Sequence, residues 1–171
     1  MIYLPTPGNS IVCLDGITGK EIWKYKTSKG YNAAKRGLLI WKSEEDNVLR
    51  LFFTNDEQLI ALDAKTGIPI KNFGKNGIIK IGSSSIPPVV IDDKLIVGTF
   101  RPSIEAYDVK SGKLYWKYYL RDIKKDEKNF KGGFPWGGIS ADRKNGIIYL
   151  TTGNPKPNFV GASRPGKNLF A

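Results

Sequence analysis

Two residues in the C-terminal part of the chain have side chains and a spacing that suit binding of a flat ligand and a cation. Trp136 precedes, and Asn154 follows, two short strand-like segments joined at Asn145-Gly146, a dipeptide that strongly predicts a β-hairpin. Because a hairpin brings its open ends together, the indole and the carboxamide should face the same space. An indole offers a broad face to a flat ring, and a carboxamide oxygen is a hard ligand that suits calcium. The hairpin alone favours a plainer interpretation, a core Trp and a turn Asn.

The residue types that the chain lacks exclude several kinds of catalytic site. The chain contains no histidine, which excludes Ser-His-Asp and Cys-His catalysis and His-ligated zinc from this chain alone. Cys13 is the single cysteine, so no internal disulfide can form, and the redox compartment stays open. No apolar run is long enough to predict a membrane-spanning helix, and the N-terminal residues lack the basic and apolar regions of a signal peptide.

The net charge of +11 raises the hypothesis of nucleic-acid binding. Lysines carry most of the positive charge and are spread over the whole length, mainly at turns and strand flanks. Surfaces that bind bases and phosphates favour arginine instead. The charge therefore indicates a solvated, lysine-rich surface, with attraction of anionic ligands as a second interpretation. A basic nucleic-acid-binding domain stays a rival hypothesis, and it predicts duplex binding that weakens steeply with salt.

One pattern occurs three times along the chain, in residues 12–23, 60–71 and 105–116. Each copy is an alternating strand that ends in Asp, followed by a turn with a Gly and by a second strand. The Asp can accept hydrogen bonds from the turn amides, and the Gly can adopt the positive φ of a bulged hairpin. The first and third copies end in a Trp that can pack against the neighbouring unit. The second copy has Lys71 there and Pro69 in its strand, so we expect a looser or irregular junction, with Phe73 as the available substitute.

The interval between the copies predicts the fold. The aspartates recur about every 45 residues, the length of a four-stranded propeller blade. We therefore predict an all-β fold, a partial β-propeller of nearly four four-stranded blades, formed as one domain over residues 1–171. The charged segment 121–131 is expected to be a loop. Propellers close into rings, and both ends of the chain resemble cuts through a larger protein, so we expect an open arc of a larger ring.

The repeat and one further segment resemble a known family. The pattern Asp-x-x-Thr-Gly-Lys-x-x-Trp is similar to the tryptophan-docking repeat of the eight-bladed quinoprotein dehydrogenases, although non-enzymatic propellers share it. Three motifs resemble the family segment that carries a cofactor-stacking Trp and a calcium-ligating Asn: Trp136-Gly137-Gly138, Thr152-Gly153-Asn154-Pro155 and Arg164-Pro165-Gly166. The resemblance covers the whole chain but only the first half of a family member's propeller. It implies pyrroloquinoline quinone and a calcium ion on the propeller axis.

The resemblance also implies roles for five residues. Trp136 falls where the indole lies flat against the quinone, and Asn154 falls on a calcium ligand. Arg36 matches the arginine that binds an acidic edge of the cofactor, because a guanidinium can fork onto a carboxylate. Ser85 matches a hydroxyl residue that hydrogen-bonds a cofactor carboxylate, and Thr99 is a second candidate of that kind. The plainer alternatives are an inter-blade packing Trp, a turn Asn, a surface Arg and a turn Ser.

The chain also departs from the family pattern. Alcohol-oxidising members often have two adjacent cysteines ahead of the arginine, where this chain has Ala33 and Ala34. Methanol-type members place a calcium-binding Glu in an insertion after the strand that ends near Thr99, and we find no matching Glu here. In lacking both features, the chain resembles the membrane-bound glucose or polyol dehydrogenase branch more than the methanol branch. The family's catalytic Asp lies beyond the Arg-Pro-Gly motif, so the resemblance assigns no catalytic residue to this chain and implies that it turns over no substrate alone.

These features predict part of a quinoprotein dehydrogenase that oxidises a sugar, polyol or alcohol. In the mechanism that the resemblance implies, hydride passes from the alcohol carbon to the quinone, with calcium as the Lewis acid. The expected partners are the substrate, a quinone or cytochrome electron acceptor and the rest of the propeller, and not a nucleic acid. The family works in the periplasm, with attachment to the inner membrane by a segment outside this chain as an option. The main rival is a non-catalytic propeller scaffold or partner-binding module of the outer-membrane assembly type.

Overall fold

The repeats fold into short strands. The computed structural model describes residues 1–28, 33–120, 133–154 and 162, so the predicted loop at 121–131 and the Arg-Pro-Gly motif lie outside the described residues. Within these ranges the chain forms twelve β-strands, which confirms the predicted all-β class: β1 (Ile2–Thr6), β2 (Ser10–Leu14), β3 (Glu21–Lys26), β4 (Leu39–Lys42), β5 (Leu49–Asp63), β6 (Ile78–Ser84), β7 (Val89–Ile91), β8 (Lys94–Thr99), β9 (Ser103–Asp108), β10 (Leu114–Tyr119), β11 (Ile139–Asp142) and β12 (Ile147–Leu150). A search of the same ranges finds no helix long and apolar enough to span a membrane.

The strands form four sheets that follow one another along the chain. The first sheet has the order β1-β2-β3 and the second the order β4-β5-β6. The third contains β7, β8, β9 and β10 in sequence order, and β11 pairs with β12 alone. Each pairing between these strands is antiparallel and joins neighbours in sequence. This succession of small meander sheets is the partial propeller that the repeats predict. Strand β6 is an addition, because the sequence patterns did not predict it.

Strand β5 reverses direction within its length, so the second sheet also contains four strand segments. Fifteen extended residues would span roughly 50 Å. However, Ala64 N donates a hydrogen bond to Leu49 O at 2.7 Å, which brings the two ends of β5 together. The reversal lies near Asp56, whose backbone is left-handed (φ 51°). The two halves of β5 therefore correspond to β8 and β9 of the third sheet, where Val109 N donates to Asp93 O at 2.9 Å.

An Asp side chain closes the hairpin turn of each repeat. Asp15 Oδ1 accepts hydrogen bonds from Thr18 N at 2.7 Å and from Thr18 Oγ1 at 2.8 Å. The corresponding pairs in the second and third repeats have the same two bonds: Asp63 with Thr66 and Asp108 with Ser111. The turn glycines have φ between 70° and 73°: Gly19, Gly67 and Gly112. Both functions that the sequence predicts for the repeat, the cap and the positive φ, are confirmed.

The hairpin of β11 and β12 uses a longer turn than its Asn-Gly dipeptide suggests. Asp142 pairs with Ile147 across the hairpin, so four residues form the loop. Asp142 Oδ1 accepts a hydrogen bond from Asn145 N at 3.1 Å, and Gly146 has φ 68°. The hairpin is therefore confirmed, and its turn has the same Asp-to-Gly spacing as the three repeats.

The first and second sheets are joined by Trp23. Its indole Nε1 donates to Ala64 O, in the turn of the second repeat, at 3.1 Å. The ring covers the Gly of the same turn so closely that a Cβ on Gly67 would lie 2.7 Å from it. Only glycine allows this approach, which confirms the predicted packing of the first repeat's Trp against the neighbouring unit.

The second junction, where the repeat lacks a Trp, is built around Phe73. The ring is fully buried and meets Phe52 edge-on, with centroids 5.5 Å apart. A Cβ on Gly112, the turn glycine of the third repeat, would lie 3.2 Å from the Phe73 ring. Gly74 N donates to Ser111 O of that turn at 2.8 Å. Phe73 therefore takes the packing position of the missing indole, as the sequence suggested.

Arg50 supplies the hydrogen bonds that the missing indole would make. Its side chain is buried, and Nη1 donates to Val109 O at 3.4 Å and to Lys110 O at 2.9 Å. Val109 follows the turn Asp in its repeat as Ala64 does in the preceding one. Asp46 pairs with Nη2 at 2.8 Å and balances the buried charge. A buried arginine is tolerated when its charge is paired, and both terminal nitrogens of Arg50 have partners, although its buried Nε has none among the described residues.

The second repeat is irregular, as its departures from the pattern predict. Its return strand is reduced to a single bridge between Leu62 and Pro69. Strand β6 then takes over the edge of the sheet and pairs with the second half of β5, with Ile60 opposite Ile78. The prolyl residue has no amide hydrogen to extend the ladder, which explains the early end of the return strand.

The third repeat's docking residue is not covered in the same way. Trp116 is 41% exposed, and other large apolar side chains of β10 are exposed beside it. The hairpin of β11 and β12 packs instead against Ile91, Ile96 and Ala106. Among the described residues, the prediction of inter-blade packing therefore holds for Trp23 and not for Trp116.

A buried polar cluster connects β8, β9 and β10. Glu105 is 1% exposed and accepts hydrogen bonds from Ser103 Oγ at 3.0 Å, from the Tyr107 hydroxyl, and from Lys117 Nζ at 2.7 Å. Thr99 Oγ1 lies 2.7 Å from Ser103 Oγ. Burial alone would raise the pKa of Glu105, but the hydrogen bonds from Lys117, Tyr107 and Ser103 outweigh burial and lower it. The cluster therefore stabilises the carboxylate form of Glu105.

We predict that Phe73→Ala lowers the free energy of unfolding by about 3–5 kcal/mol, because it removes a fully buried ring from the junction of two sheets. Trp116→Ala is the matched control at an exposed docking position and should cost about 1 kcal/mol or less. Urea unfolding followed by circular dichroism measures both values. Equal costs for the two variants would show that Phe73 does not act as the docking residue.

We also predict that the stability gap between the parent and Glu105→Gln narrows in acid. The folded pKa of Glu105 is lowered, so its carboxylate stabilises the fold above the ordinary pKa of a glutamate, and this contribution is lost as the pH falls through the folded value. Urea titrations from about pH 7 to about pH 3 give the two curves. Glu44→Gln, at an exposed position, controls for the loss of one negative charge. Parallel curves for the parent and Glu105→Gln would contradict the prediction.

Candidate functional site

The open end of the last hairpin brings together the two segments that the sequence singled out. Gly153 N donates to Phe134 O at 2.9 Å, and Gly133 N donates to Asn154 O at 3.3 Å. The chain before β11 and the chain after β12 therefore run side by side beyond the strands. The predicted convergence of the two ends is present.

Trp136 lies against Gly153 at this end of the hairpin. A Cβ on Gly153 would lie 2.1 Å from the indole nitrogen, so the ring could not keep its position beside any other residue. The indole is 48% exposed, which leaves part of its surface available to a ligand. An exposed indole in a fixed position differs from the plainer alternative of a packing Trp.

A cavity of about 200 Å³ lies beside this indole. Its described lining consists of Lys35, Arg36, Asp56, Ser83, Ser84, Ser85, Phe100 and Trp136. The guanidinium carbon of Arg36 lies 4.9 Å from the centroid of the Trp136 ring, a cation–π contact. The structure thus brings together Trp136, Arg36 and Ser85, which lie far apart in sequence.

Thr54 holds two walls of the cavity in place. Its carbonyl accepts a hydrogen bond from Ala34 N at 2.9 Å, which anchors the turn that carries Arg36. Its hydroxyl donates to Ile86 O at 3.0 Å, which anchors the segment that carries Ser85. Thr54 itself is fully buried in the first half of β5. This role of Thr54 could not be predicted from the sequence, because its two partners are distant in the chain.

Aromatic rings complete the wall near the hairpin. Phe100 and Phe134 meet edge-to-face, with centroids 6.0 Å apart. Phe100 N donates to Ser83 O at 2.7 Å, which ties the end of β8 to the end of β6. The aromatic side chains of Phe100 and Trp136 and the cationic side chains of Lys35 and Arg36 therefore line one cavity.

Thr99 lies outside the lining of this cavity and is fully buried. Ser103 donates its hydroxyl hydrogen to the Glu105 carboxylate, which can only accept. In the short contact between Thr99 and Ser103, the hydrogen must then come from Thr99. Thr99 has no hydrogen left to offer a cofactor carboxylate, and its assigned role stays a prediction without support from the contacts.

Asn154 is exposed, and it is not among the residues that line the cavity. The backbone carbonyl oxygen of Asn154 accepts the hydrogen bond from Gly133 N. The role of its side chain as a calcium ligand stays a prediction. In the described part of the chain, no group of three or more His, Cys, Asp or Glu residues could hold a metal ion. Asn154 is therefore the one predicted calcium ligand among the described residues.

Five lining residues were not predicted from the sequence: Lys35, Asp56, Ser83, Ser84 and Phe100. Lys35 adds a second cation beside Arg36, and Phe100 adds an aromatic wall. Asp56 adds a carboxylate at the reversal of β5. The neighbouring Arg36 could have drawn attention to Lys35. Nothing in the sequence indicated that Asp56 and Phe100 meet at the same cavity.

The chain is similar to known proteins over its full length. The family model described as the glucose, ethanol and alcohol dehydrogenase β-propeller domain, named PQQ, matches residues 1–171. The quinohemoprotein alcohol dehydrogenase ADH IIB of Pseudomonas putida is 29% identical over 99% of this chain and 29% of its own length. Relatives named as methanol, glycerol and glucose dehydrogenases are 26% to 31% identical.

Solved structures share the fold. A europium-containing methanol dehydrogenase matches with a TM-score of 0.66 and 23% identity, over 90% of this chain and 33% of that one. BamB from Moraxella catarrhalis matches with a TM-score of 0.52 and 20% identity, over 90% of this chain and 44% of that one. The chain spans about a third of the length of the dehydrogenases it matches. By its repeats, its sheets and the family match over its full length, the chain belongs to the PQQ β-propeller domain family of glucose, ethanol and alcohol dehydrogenases.

Proposed function

We propose that the cavity beside Trp136 binds pyrroloquinoline quinone and that the whole protein oxidises a sugar, polyol or alcohol. The observation that carries the proposal is the placement of an exposed indole, the Arg36 guanidinium and Ser85 around one cavity. Membership in the PQQ family supports the choice of ligand. Relatives named as alcohol and glucose dehydrogenases support the substrate class without selecting one substrate.

The residues present fit a flat ligand with several carboxylates. Trp136 and Phe100 offer apolar surface to a ring system, and the indole gives the larger face. Lys35 and Arg36 offer positive charge, and Arg36 can fork onto a carboxylate. Ser85 can donate its hydroxyl hydrogen to an acid group. When bound, the quinone supplies a hydride acceptor for oxidation of the alcohol carbon.

The position of Arg36 beside the indole supports the proposal. Its guanidinium carbon lies 4.9 Å from the centroid of the Trp136 ring. Arg36 would therefore hold a carboxylate of a ligand that lies beside the indole, and such a charge-assisted, forked hydrogen bond is stronger than a cation–π contact.

The remaining parts of the proposed activity rest on the resemblance. Calcium would bind with Asn154 as one ligand, and the described residues supply no other assigned ligand. Proton removal from the alcohol would belong to an Asp outside this chain. A quinone or cytochrome would take up the electrons, and the protein would work in the periplasm. Among the described residues, the contribution to the reaction is to bind and orient the quinone.

We predict that pyrroloquinoline quinone quenches the tryptophan fluorescence of the chain and that Trp136→Ala removes this quenching. In the proposed complex the quinone ring stacks on the indole. Removal of the indole should therefore also weaken quinone binding by roughly tenfold or more. Trp116→Ala, which removes another exposed indole, is the matched control and should retain both quenching and affinity. Quenching that is absent from the parent would favour the non-catalytic scaffold.

We predict that Arg36→Ala weakens quinone binding by about 1.5–3 kcal/mol, or roughly tenfold to a hundredfold, because a charged hydrogen-bond partner is lost. Isothermal titration calorimetry at two salt concentrations measures the change, and the salt dependence of the affinity should also decrease. Arg101→Ala removes the same charge from an exposed site outside this cavity and should leave the affinity nearly unchanged. Equal losses in the two variants would mean that general electrostatic attraction, and not a clamp at Arg36, holds the ligand.

A further inference from the structure

A line of hydrogen bonds leads from the buried Glu105 carboxylate toward the proposed quinone cavity. Ser103 donates to Glu105 at 3.0 Å, and Thr99 donates to Ser103 at 2.7 Å, because Ser103 has only one hydroxyl hydrogen. All three residues are buried, and Thr99 and Ser103 lie opposite each other on β8 and β9. The carboxylate therefore fixes the direction in which the Thr99 hydroxyl donates.

Thr99 also forms a tight contact with the second sheet. A Cβ on Gly82 of β6 would lie 2.7 Å from Thr99 Oγ1 and 2.8 Å from Thr99 Cβ, so a larger residue fits only if the strands move apart. Gly82 is not among the glycines with positive φ, so the contact, and not the backbone, requires glycine here. The group that Thr99 turns toward Gly82 therefore determines how closely β6 and β8 approach each other.

The residues that follow this contact line the proposed quinone cavity. Ser83 follows Gly82 on β6, Phe100 follows Thr99 at the end of β8, and both belong to the lining. Phe100 N donates to Ser83 O at 2.7 Å, so the two sides of the cavity meet next to the contact. Residues 83–85, which are all serines, form one side, the serine wall. A change in the separation of β6 and β8 therefore moves the serine wall relative to the aromatic side.

We propose that Glu105 positions the serine wall through Ser103 and Thr99, an inference that rests on the proposed function. With its hydroxyl held by Ser103, Thr99 presents Oγ1 to Gly82. Without that bond the side chain can turn to another staggered rotamer, which brings the bulkier methyl group into the tight contact. The strands then separate, and Ser85 moves away from the quinone carboxylate that it binds in the proposed complex. Glu105 is thus a positioning residue that does not touch the ligand.

The first test separates two hydrogen bonds to the same carboxylate. Ser103→Ala interrupts the line between Glu105 and Thr99, whereas Tyr107→Phe removes another bond to Glu105, one that does not lead to Thr99. Isothermal titration calorimetry with pyrroloquinoline quinone gives the Kd of each variant, and urea midpoints show whether the variants are folded. The Kd of Ser103→Ala should exceed that of Tyr107→Phe by about threefold or more.

The second test compares two substitutions at Thr99. Thr99→Ser keeps the hydroxyl and loses the methyl group, whereas Thr99→Val keeps the shape and loses the hydroxyl. Because the proposed role depends on the hydrogen bond to Ser103, Thr99→Ser should bind the quinone more tightly than Thr99→Val. A role in packing alone predicts the reverse order. A direct bond from Thr99 to the quinone predicts the same order, but Ser103→Ala would then leave the affinity intact, because the Thr99 hydroxyl is still present.

Two results overturn the role of Glu105 and leave the proposed quinone site standing. One is a Kd ratio below about threefold between Ser103→Ala and Tyr107→Phe, and the other is tighter binding by Thr99→Val than by Thr99→Ser. If Ser103→Ala does not fold, the order of the two Thr99 variants decides. Failure of the parent chain to bind the quinone overturns the proposed function, and the inference with it.

Discussion

The first three sheets are joined in sequence by a ring that covers the glycine of a repeat turn, while a donor from the same sheet reaches the carbonyl after the turn Asp. Trp23 provides both at the first junction, and Phe73 and Arg50 divide the task at the second. Sheets of three or four short strands bury little surface alone, so the fold depends on these contacts between sheets. The cavity depends on them as well, because its walls come from segments beside four different strands: Arg36 before β4, Ser85 after β6, Phe100 after β8 and Trp136 before β11.

The features that could be predicted from the sequence are those encoded within a few residues. The repeat turn needs an acceptor at its start and a residue with positive φ at its end, so Asp15 and Gly19 identify it without any knowledge of the rest of the chain. The same applies to the last hairpin, whose ends bring Trp136 next to Gly153. The family resemblance added Arg36 and Ser85, which the local sequence alone would explain as a surface Arg and a turn Ser.

The features that could not be predicted depend on partners far away in the chain. Strand β6 follows an Asn-Gly turn and ends in serines, and only its pairing with β5 makes it a strand. Arg50 looks like a solvent-facing residue of an alternating strand, but the turn carbonyls of the next repeat bury it. The direction of the hydrogen bond from Thr99 is fixed by Glu105, through Ser103. Sequence spacing carries no information about any of these pairings.

The division of labour at the second junction also constrains how this chain can change. Introducing an indole at Lys71 would not recreate the arrangement of the first junction, because the carbonyl it needs already accepts from Arg50 and the glycine it would cover already lies under Phe73. The indole would fit only if both of those side chains became smaller, and a loss of Arg50 alone would leave the Asp46 carboxylate without its cationic partner. Phe73 and Arg50 thus form an epistatic pair, in which the effect of a substitution at one position depends on the residue at the other. A return to the common repeat would require coordinated substitutions.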